Sequence, residues 1–178
     1  MKLATNEGAL TSAGKVLKNE KGLTLIELLA VIVILAIIAA IAIPSIGGII
    51  AKTKKESHRA NAQMILDAAR YKVSVEDFKP DSSGNVSVTL PDGTTQSLPV
   101  ETVTLKTLVD DGFLEAAPKD PQGSGTYNDT STVVKIYQKT DGKYEYAITL
   151  IGDSTYFSGV WAQDVKTATI GSSPAPTP

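Results

Sequence analysis

A single carboxylate stands at the start of a long apolar run. Glu27 precedes sixteen uninterrupted apolar residues, Leu28 to Ile43. An ionised glutamate inside a bilayer costs a few kcal/mol on insertion scales, so such a residue normally has a partner charge or a function. Residues 23–50 would span roughly 42 Å as a helix, which exceeds the ~30 Å hydrocarbon core. The sequence therefore predicts a membrane-spanning helix with Glu27 near one end.

Side chains that could carry out catalysis are sparse. The chain has one histidine, His58, and no cysteine. Neither a nucleophile motif beside His58 nor a glycine-rich phosphate loop is present in the sequence. We interpret His58 as a surface residue and expect neither an enzyme nor a bound cofactor. Without cysteine, a disulfide framework and a thiolate metal site are excluded.

The loop of residues 117–123 contains two prolines around Asp120. Proline restricts φ, and an aspartate can bond nearby backbone amides, so the pattern predicts a rigid turn without regular structure. The alternative is a calcium loop that uses Asp120, Asn128 and Asp129. Because the EF-hand pattern is absent, we predict no metal site here.

The apolar run has three other interpretations. A secretory signal peptide would use Lys15, Lys18 and Lys21 as its basic region and residues 40–42 as its cleavage site. Against this, such a core has roughly 7 to 15 apolar residues and seldom opens with an acid. The run could also be a plain single-span anchor or a buried core helix, although the remaining residues could hardly surround it.

The segment Gly22–Glu27, followed by the apolar run and Pro44, resembles the class III signal of type IV pilins and their pseudopilin relatives. The resemblance implies that a membrane aspartyl protease cuts after Gly22 and that Leu23 becomes an N-methylated amino terminus. The family most often has Phe at the Leu23 position. The resemblance also implies that Glu27 neutralises the amino terminus of a neighbouring subunit in a fibre. Two charges ~4 Å apart interact by several kcal/mol at an effective dielectric constant near 20.

Pro44 and the following Gly47-Gly48 pair are expected to weaken the helix. Proline lacks an amide hydrogen and clashes with the preceding turn, and each glycine costs ~1 kcal/mol relative to alanine. The resemblance implies that the segment around Pro44 bends or melts during assembly. A passive kink just outside the membrane is the alternative.

A basic cluster follows the apolar run and consists of Lys52, Lys54, Lys55, His58 and Arg59. We interpret it as a solvated helix face, with contact to lipid phosphates or to acidic neighbours as the alternative. Residues 1–22 contain four lysines and two glutamates, so the rest of the chain keeps 13 basic and 17 acidic residues. This acidic balance does not favour nucleic-acid binding.

Helical periodicity continues to about Lys72 and is followed by strand patterns. A cap at Thr102 predicts a short helix up to Asp110 with Gly112 beyond its end, and Asp141-Gly142 suits a type I′ turn. The predicted apolar stripe of the long helix is Ile49, Ala60, Met64, Ile65, Ala68, Ala69 and Tyr71. The predicted strands are Val86–Leu90, Thr94–Val100, Thr132–Gln138, Tyr144–Leu150 and Thr155–Trp161.

These elements predict an α+β fold. The resemblance implies the pilin arrangement, a long N-terminal transmembrane helix packed against an antiparallel sheet of about four to five strands. The expected organisation is a cleaved leader (1–22), a transmembrane and assembly helix (23–50), an amphipathic helix half (51–75), a globular head (76–165) and a disordered tail (166–178).

The function implied by the resemblance is that of a structural subunit that polymerises into type IV pilus filaments for motility, adhesion or DNA uptake. Its partners would be identical or related subunits, the prepilin peptidase, the assembly platform and the cell membrane. It would be a single-pass membrane protein before assembly and part of a surface filament afterwards, and the absence of cysteine favours a Gram-positive type. Two alternatives are a pseudopilin of a competence or type II secretion-like system and a membrane-anchored binding module that never polymerises.

Overall fold

The computed structural model describes residues 24–171 and confirms the α+β architecture. A long helix is followed by an antiparallel sheet of five strands in the order β1-β2-β3-β4-β5. The elements are α1 (Leu25–Val75), β1 (Asn85–Thr89), β2 (Thr95–Thr104), α2 (Leu105–Asp110), β3 (Val133–Gln138), β4 (Tyr144–Ile151) and β5 (Thr155–Trp161). The chain divides into two compact units after Gly47. We call residues 48–171 the head.

The helix α1 runs through Pro44 without interruption. Proline removes one backbone hydrogen bond, but the turn before it, residues 40–43, consists of alanine and isoleucine and contains neither glycine nor proline. The predicted weakening therefore does not end the helix, and bending or melting during assembly remains a prediction. The last turn extends three residues beyond Lys72, and the amide of Glu76 still donates to the Lys72 carbonyl at 2.8 Å.

The buried face of α1 differs in phase from the predicted stripe. Ile65, Ala68 and Ala69 are buried as predicted, but Met64 and Tyr71 are 43% and 60% exposed. The predicted stripe contains only apolar residues, whereas the buried face also contains two polar residues, His58 and Lys72. The buried residues of α1 are His58, Ala62, Ile65, Leu66, Ala68, Ala69 and Lys72.

Strand β2 joins two parts of the sheet. Its first half, from Thr95 to Pro99, pairs with β1, and its second half, from Val100 to Thr104, pairs with β3. Ile136 and Tyr137 are adjacent in β3, and both are buried. Because neighbouring strand residues point to opposite faces, both faces of the sheet are covered at this point.

Two hydrophobic clusters provide this cover. The larger one packs α1 and α2 against β2 to β5. The smaller one joins the β1–β2 hairpin to Tyr137 and Ala147, with Trp161 at its margin. The sheet is therefore curled, which allows a small head to bury apolar residues from both of its faces.

The structure corrects two local predictions. Strand β2 continues to Thr104, and this residue rather than Thr102 caps α2, since its hydroxyl accepts the Thr107 amide at 3.0 Å.

The Asp141-Gly142 turn is not type I′, because Asp141 has a negative φ and Gly142 alone is left-handed at 81°. A type I turn followed by a left-handed glycine closes the hairpin, with Asp141 accepting the Lys143 amide. Gly112 beyond α2 has φ +79°, as its predicted C-terminal position requires.

The C-terminal segment is attached to the head up to Gly171. Val165 is buried, Ile170 packs against the larger cluster, and the Gly171 amide donates to the Tyr156 carbonyl at 3.0 Å. The predicted disordered tail began at residue 166, whereas Ile170 and Gly171 of that segment contact the head. Residues 172–178 lie outside the described part of the chain.

Candidate functional site

The predicted assembly residues do not form one compact site. Glu27 and Pro44 both belong to α1, but seventeen residues of helix separate them by roughly 26 Å. The predicted processing residues Gly22 and Leu23 lie outside the described residues. Glu27 and Pro44 therefore do not share a pocket.

Glu27 forms a capping box with Thr24 at the start of α1. The Glu27 amide donates to Thr24 Oγ1 at 3.3 Å, and the Thr24 amide donates to Glu27 Oε2 at 3.3 Å. The carboxylate also lies in the first helical turn, where the macrodipole favours negative charge. This local role was not among the predictions above, although the Thr-x-x-Glu spacing indicates it. Glu27 is thus held in place by its own helix before any partner is considered.

The first half of α1 is apolar on all sides, and none of the residues described, 24–171, covers it. Every large aliphatic side chain from Leu25 to Ile43 is between 48% and 83% exposed. The most apolar 18-residue window of α1 has a mean hydropathy of 3.2 and no buried residue, so the helix is long and apolar enough to cross a membrane. A helix of this kind needs lipid or protein around it. Pro44 and Gly47-Gly48 follow, and a Cβ at either glycine would meet open space.

The predicted basic face is only partly solvated. Lys52 and Lys55 are exposed, and Arg59 pairs with Glu56 at 2.8 Å. His58, in contrast, is completely buried. The surface interpretation of His58 is therefore wrong, because this residue lies on the side of α1 that contacts the loop and strand described next.

His58 is part of a cluster of aromatic and polar side chains in the head. Its Nδ1 lies 2.7 Å from the Tyr127 hydroxyl, and its ring stacks on Tyr156 with 3.8 Å between centroids. Burial lowers the pKa of His58, with Lys54 acting in the same direction and Asp120 opposing it. Burial also raises the pKa of Tyr127 to about 12. The imidazole is thus favoured in its neutral form and the phenol in its protonated form.

Asp120 anchors the predicted rigid loop. Its carboxylate accepts hydrogen bonds from the Gln122 amide at 2.8 Å, the Asp153 amide at 3.0 Å and the Tyr156 hydroxyl at 2.7 Å. Burial opposes ionisation, but these hydrogen bonds hold the pKa of Asp120 below its usual value. A Cβ at Gly152 would overlap the Asp120 carboxylate, so this position requires glycine. The turn is rigid because one buried carboxylate ties together two loops and β5.

These contacts argue against the calcium alternative. The oxygens of Asp120 are used by protein donors, and Asn128 Oδ1 accepts the amides of Thr130 and Ser131 at 3.2 and 2.8 Å. Within residues 24–171, no three acidic, histidine or cysteine side chains are grouped as a metal site would require. The Asn128 side chain has a local turn-forming role instead.

Comparison with known proteins supports the interpretation of the N-terminal segment. Residues 17–43 match the family model of the prokaryotic N-terminal methylation motif. The chain therefore carries a type IV pilin-like prepilin signal, as the resemblance indicated. The described architecture, with its long apolar N-terminal helix and five-stranded antiparallel sheet, is pilin-like. No curated protein and no solved structure matches the chain.

Proposed function

We propose that this chain, a precursor of the type IV pilin or pseudopilin kind, is the subunit of a type IV pilus. The prepilin peptidase removes residues 1–22 by cutting after Gly22, and Leu23 becomes the methylated amino terminus. Residues 23–50 then assemble with identical or related subunits. The observation that carries this proposal is the exposure of every large aliphatic side chain from Leu25 to Ile43. Pilins are structural proteins, and we assign no catalytic activity to the head.

Glu27 favours a fibre over a plain membrane anchor. An anchor needs only lipid around its helix, and a carboxylate at the start of the span adds a penalty that lipid does not remove. In a fibre, the free amine of Leu23 in a neighbouring subunit supplies the opposite charge. Such a pair, ~4 Å apart, recovers several kcal/mol at an effective dielectric constant near 20. Subunits are thereby favoured in one axial register.

The proposed life cycle places the chain first in the cell membrane and then outside the cell. The span of residues 23–50 holds the subunit in the bilayer, with the leader in the cytoplasm and the head outside. The assembly platform extracts the helix and adds it to a surface filament that serves motility, adhesion or DNA uptake. In this proposal, Pro44 marks the segment that bends or melts during the transfer.

Processing is tested by intact-mass spectrometry of the protein recovered from membranes. We expect a mature chain that begins at Leu23 with a methyl group, and we expect Gly22→Val to leave the leader attached. Gly14→Val, a matched change within the leader, should leave cleavage unaffected. A wild-type chain that retains residues 1–22, or that begins elsewhere, would contradict the proposal.

Assembly is tested with two substitutions at Glu27. Glu27→Val removes both the charge and the capping hydrogen bond, whereas Glu27→Gln removes the charge and keeps an acceptor for the Thr24 amide. We expect both variants to be inserted and cleaved but to form few or no fibres. If Glu27→Gln polymerises as well as the wild type, pairing with the amino terminus is not the role of this residue.

The kind of fibre is identified by shearing filaments from cells and measuring their subunits by mass spectrometry. A major pilin is expected as the main component of long surface filaments. Recovery only from short fibres of the cell envelope would indicate a pseudopilin, and recovery only from membranes would indicate the non-polymerising binding module.

A further inference from the structure

Three elements of the head meet at His58. The residue itself comes from α1, Tyr127 ends the loop of residues 117–127, and Tyr156 belongs to β5. All three side chains are buried, with at most 2% exposure. The contact therefore joins α1 to the rest of the head through one titratable ring.

The hydrogen bonds around Tyr127 determine which nitrogen of His58 carries the proton. Asn61 Nδ2 donates to the Lys119 carbonyl at 3.1 Å and to the Tyr127 hydroxyl oxygen at 3.2 Å. Because a carbonyl can only accept, the Asn61 amide is oriented with its NH₂ group towards both oxygens. Tyr127 then directs its own hydrogen to the remaining neighbour, His58 Nδ1. Neutral His58 accordingly accepts at Nδ1 and carries its hydrogen on Nε2.

Protonation of His58 conflicts with this arrangement. A hydrogen on Nδ1 would point at the hydroxyl hydrogen of Tyr127, which would have to rotate away. Tyr127 cannot respond by ionising, because burial raises its pKa to about 12. Nε2 is also buried and has no hydrogen-bond partner within residues 24–171. The Nε2 hydrogen is unpaired in the neutral imidazole as well, so protonation adds one further N–H group, on Nδ1, where the Tyr127 hydroxyl now donates instead of accepting.

The charged groups around the cluster have opposing effects on the pKa of His58. From α1, Lys54 disfavours a second positive charge. From the loop, Asp120 favours it, although this carboxylate already accepts the Tyr156 hydroxyl. Asp153 lies near the same hydroxyl and bonds Asp120 through its amide. Burial is the largest influence, and the balance lowers the pKa of His58.

We propose that His58, Tyr127 and Tyr156 form an acid-sensitive latch. Neutral His58 holds the head portion of α1, residues 48–75, against the loop of residues 117–127. Protonated His58 releases this contact, so the helix and the loop separate at acidic pH. This proposal depends only on contacts within the head and stands or fails separately from fibre assembly.

The direction of the pH dependence follows from the lowered pKa. The unfolded or released state has the ordinary histidine pKa of ~6.5, so it binds a proton before the latched state does. The latch is at full strength above about pH 6.5 and weakens as the pH falls from there towards the lower pKa of the latched state. The opening equilibrium should increase by up to tenfold for each pH unit in this window.

The first test is an NMR titration of the imidazole in the full chain, prepared in detergent micelles without a histidine tag. His58 is the sole histidine of the chain, so its C2 proton gives one resonance that needs no assignment. We expect a midpoint below ~6.5 in the native protein and near ~6.5 after denaturation in urea. A native midpoint at or above ~6.5 would overturn the latch.

The second test measures the separation itself. The chain contains no cysteine, so Ala60→Cys and Ser124→Cys place two unique spin labels on exposed positions of α1 and the loop. We expect the distance distribution to broaden between about pH 7.5 and about pH 5 in the otherwise wild-type chain. His58→Phe keeps an aromatic stack and cannot titrate, so its distribution should not change with pH. Identical wild-type distributions at both pH values would overturn the proposal, even if His58→Phe fails to fold.

Discussion

Residues 25–47 of α1 expose every large aliphatic side chain by 48% or more, whereas residues 48–75 of the same helix bury a histidine and a lysine. Exposed apolar area costs ~25 cal/mol per Å² relative to burial, so the first half needs a cover that the described chain does not provide. Buried polar groups need hydrogen bonds, and the second half finds them within the head. One helix therefore contains a part adapted to outside partners and a part adapted to its own domain.

Lys72 shows how the head compensates a buried charge. The residue is 5% exposed, and its Nζ lies 2.7 Å from Glu76 Oε2 and 3.5 Å from Glu101 Oε1. Burial opposes the positive charge, but the two glutamates outweigh it and raise the pKa of Lys72. Glu101 also accepts the Lys79 amide at 2.9 Å. A polar residue on the buried face of α1 is thus tolerated because partners reach it from β2 and from the end of α1.

The largest effect should come from removing apolar volume in the two halves of α1. Leu66→Ala creates a cavity at a fully buried position and should lower the free energy of unfolding of the head by about 2 to 5 kcal/mol. Ile38→Ala, in the exposed half, should change it by less than about 0.5 kcal/mol. Denaturant unfolding in micelles, followed by the fluorescence of Trp161, measures both. Equal effects at the two positions would refute the comparison.

A smaller effect is expected for the buried lysine. Lys72→Met fills similar space but leaves Glu101 with one hydrogen-bond donor fewer in a buried place, so it should cost about 2 kcal/mol. The matched change Lys52→Met affects an exposed side chain and should cost less than about 0.5 kcal/mol. The same unfolding measurement compares them. A neutral Lys72→Met would mean that the ion pairs do not compensate the burial of this residue.

The smallest effect is expected at the start of α1. Thr24→Ala removes one side of the capping box and should destabilise the first helical turn by about 1 kcal/mol. Hydrogen exchange should become faster at the amides of Glu27 and Leu28, while Thr24→Ser should keep their protection. Head unfolding should not change in either variant. A shift in head stability would show that the two halves of the helix are not energetically separate.

Much of the fold follows from local patterns. Strand β5 has the predicted bounds, Thr155–Trp161, and the predicted hairpins form because alternation of apolar residues and Asp-Gly turns act over a few residues. The turn type was wrong at Asp141, since several glycine-containing turns suit the same dipeptide. The cap moved from Thr102 to Thr104 because pairing with β3 extends β2 to Thr104, four residues beyond its predicted end at Val100, which sequence alone does not reveal.

For the candidate site, too, local patterns predicted one part, while another part stays a prediction. The position of a carboxylate directly before an apolar run singled out Glu27 in the sequence. The prepilin motif at residues 17–43 includes this position. The capping role of Glu27 also follows from a local pattern, the Thr-x-x-Glu spacing from Thr24 to Glu27. The roles of Gly22, Leu23, Glu27 and Pro44 in processing and assembly remain predictions that the experiments above address.

By itself, the sequence determined that α1 begins with a long apolar span, because composition over sixteen residues settles hydrophobicity whatever the rest of the chain does. Only the tertiary structure decided that His58 is buried and that Tyr127, Tyr156 and Asp120 meet around it. Periodicity places a residue on a face of its helix, but the groups that cover this face come from residues 60 to 100 positions away. The packing of these distant residues buries His58, and the local pattern that predicted a surface position does not contain this information.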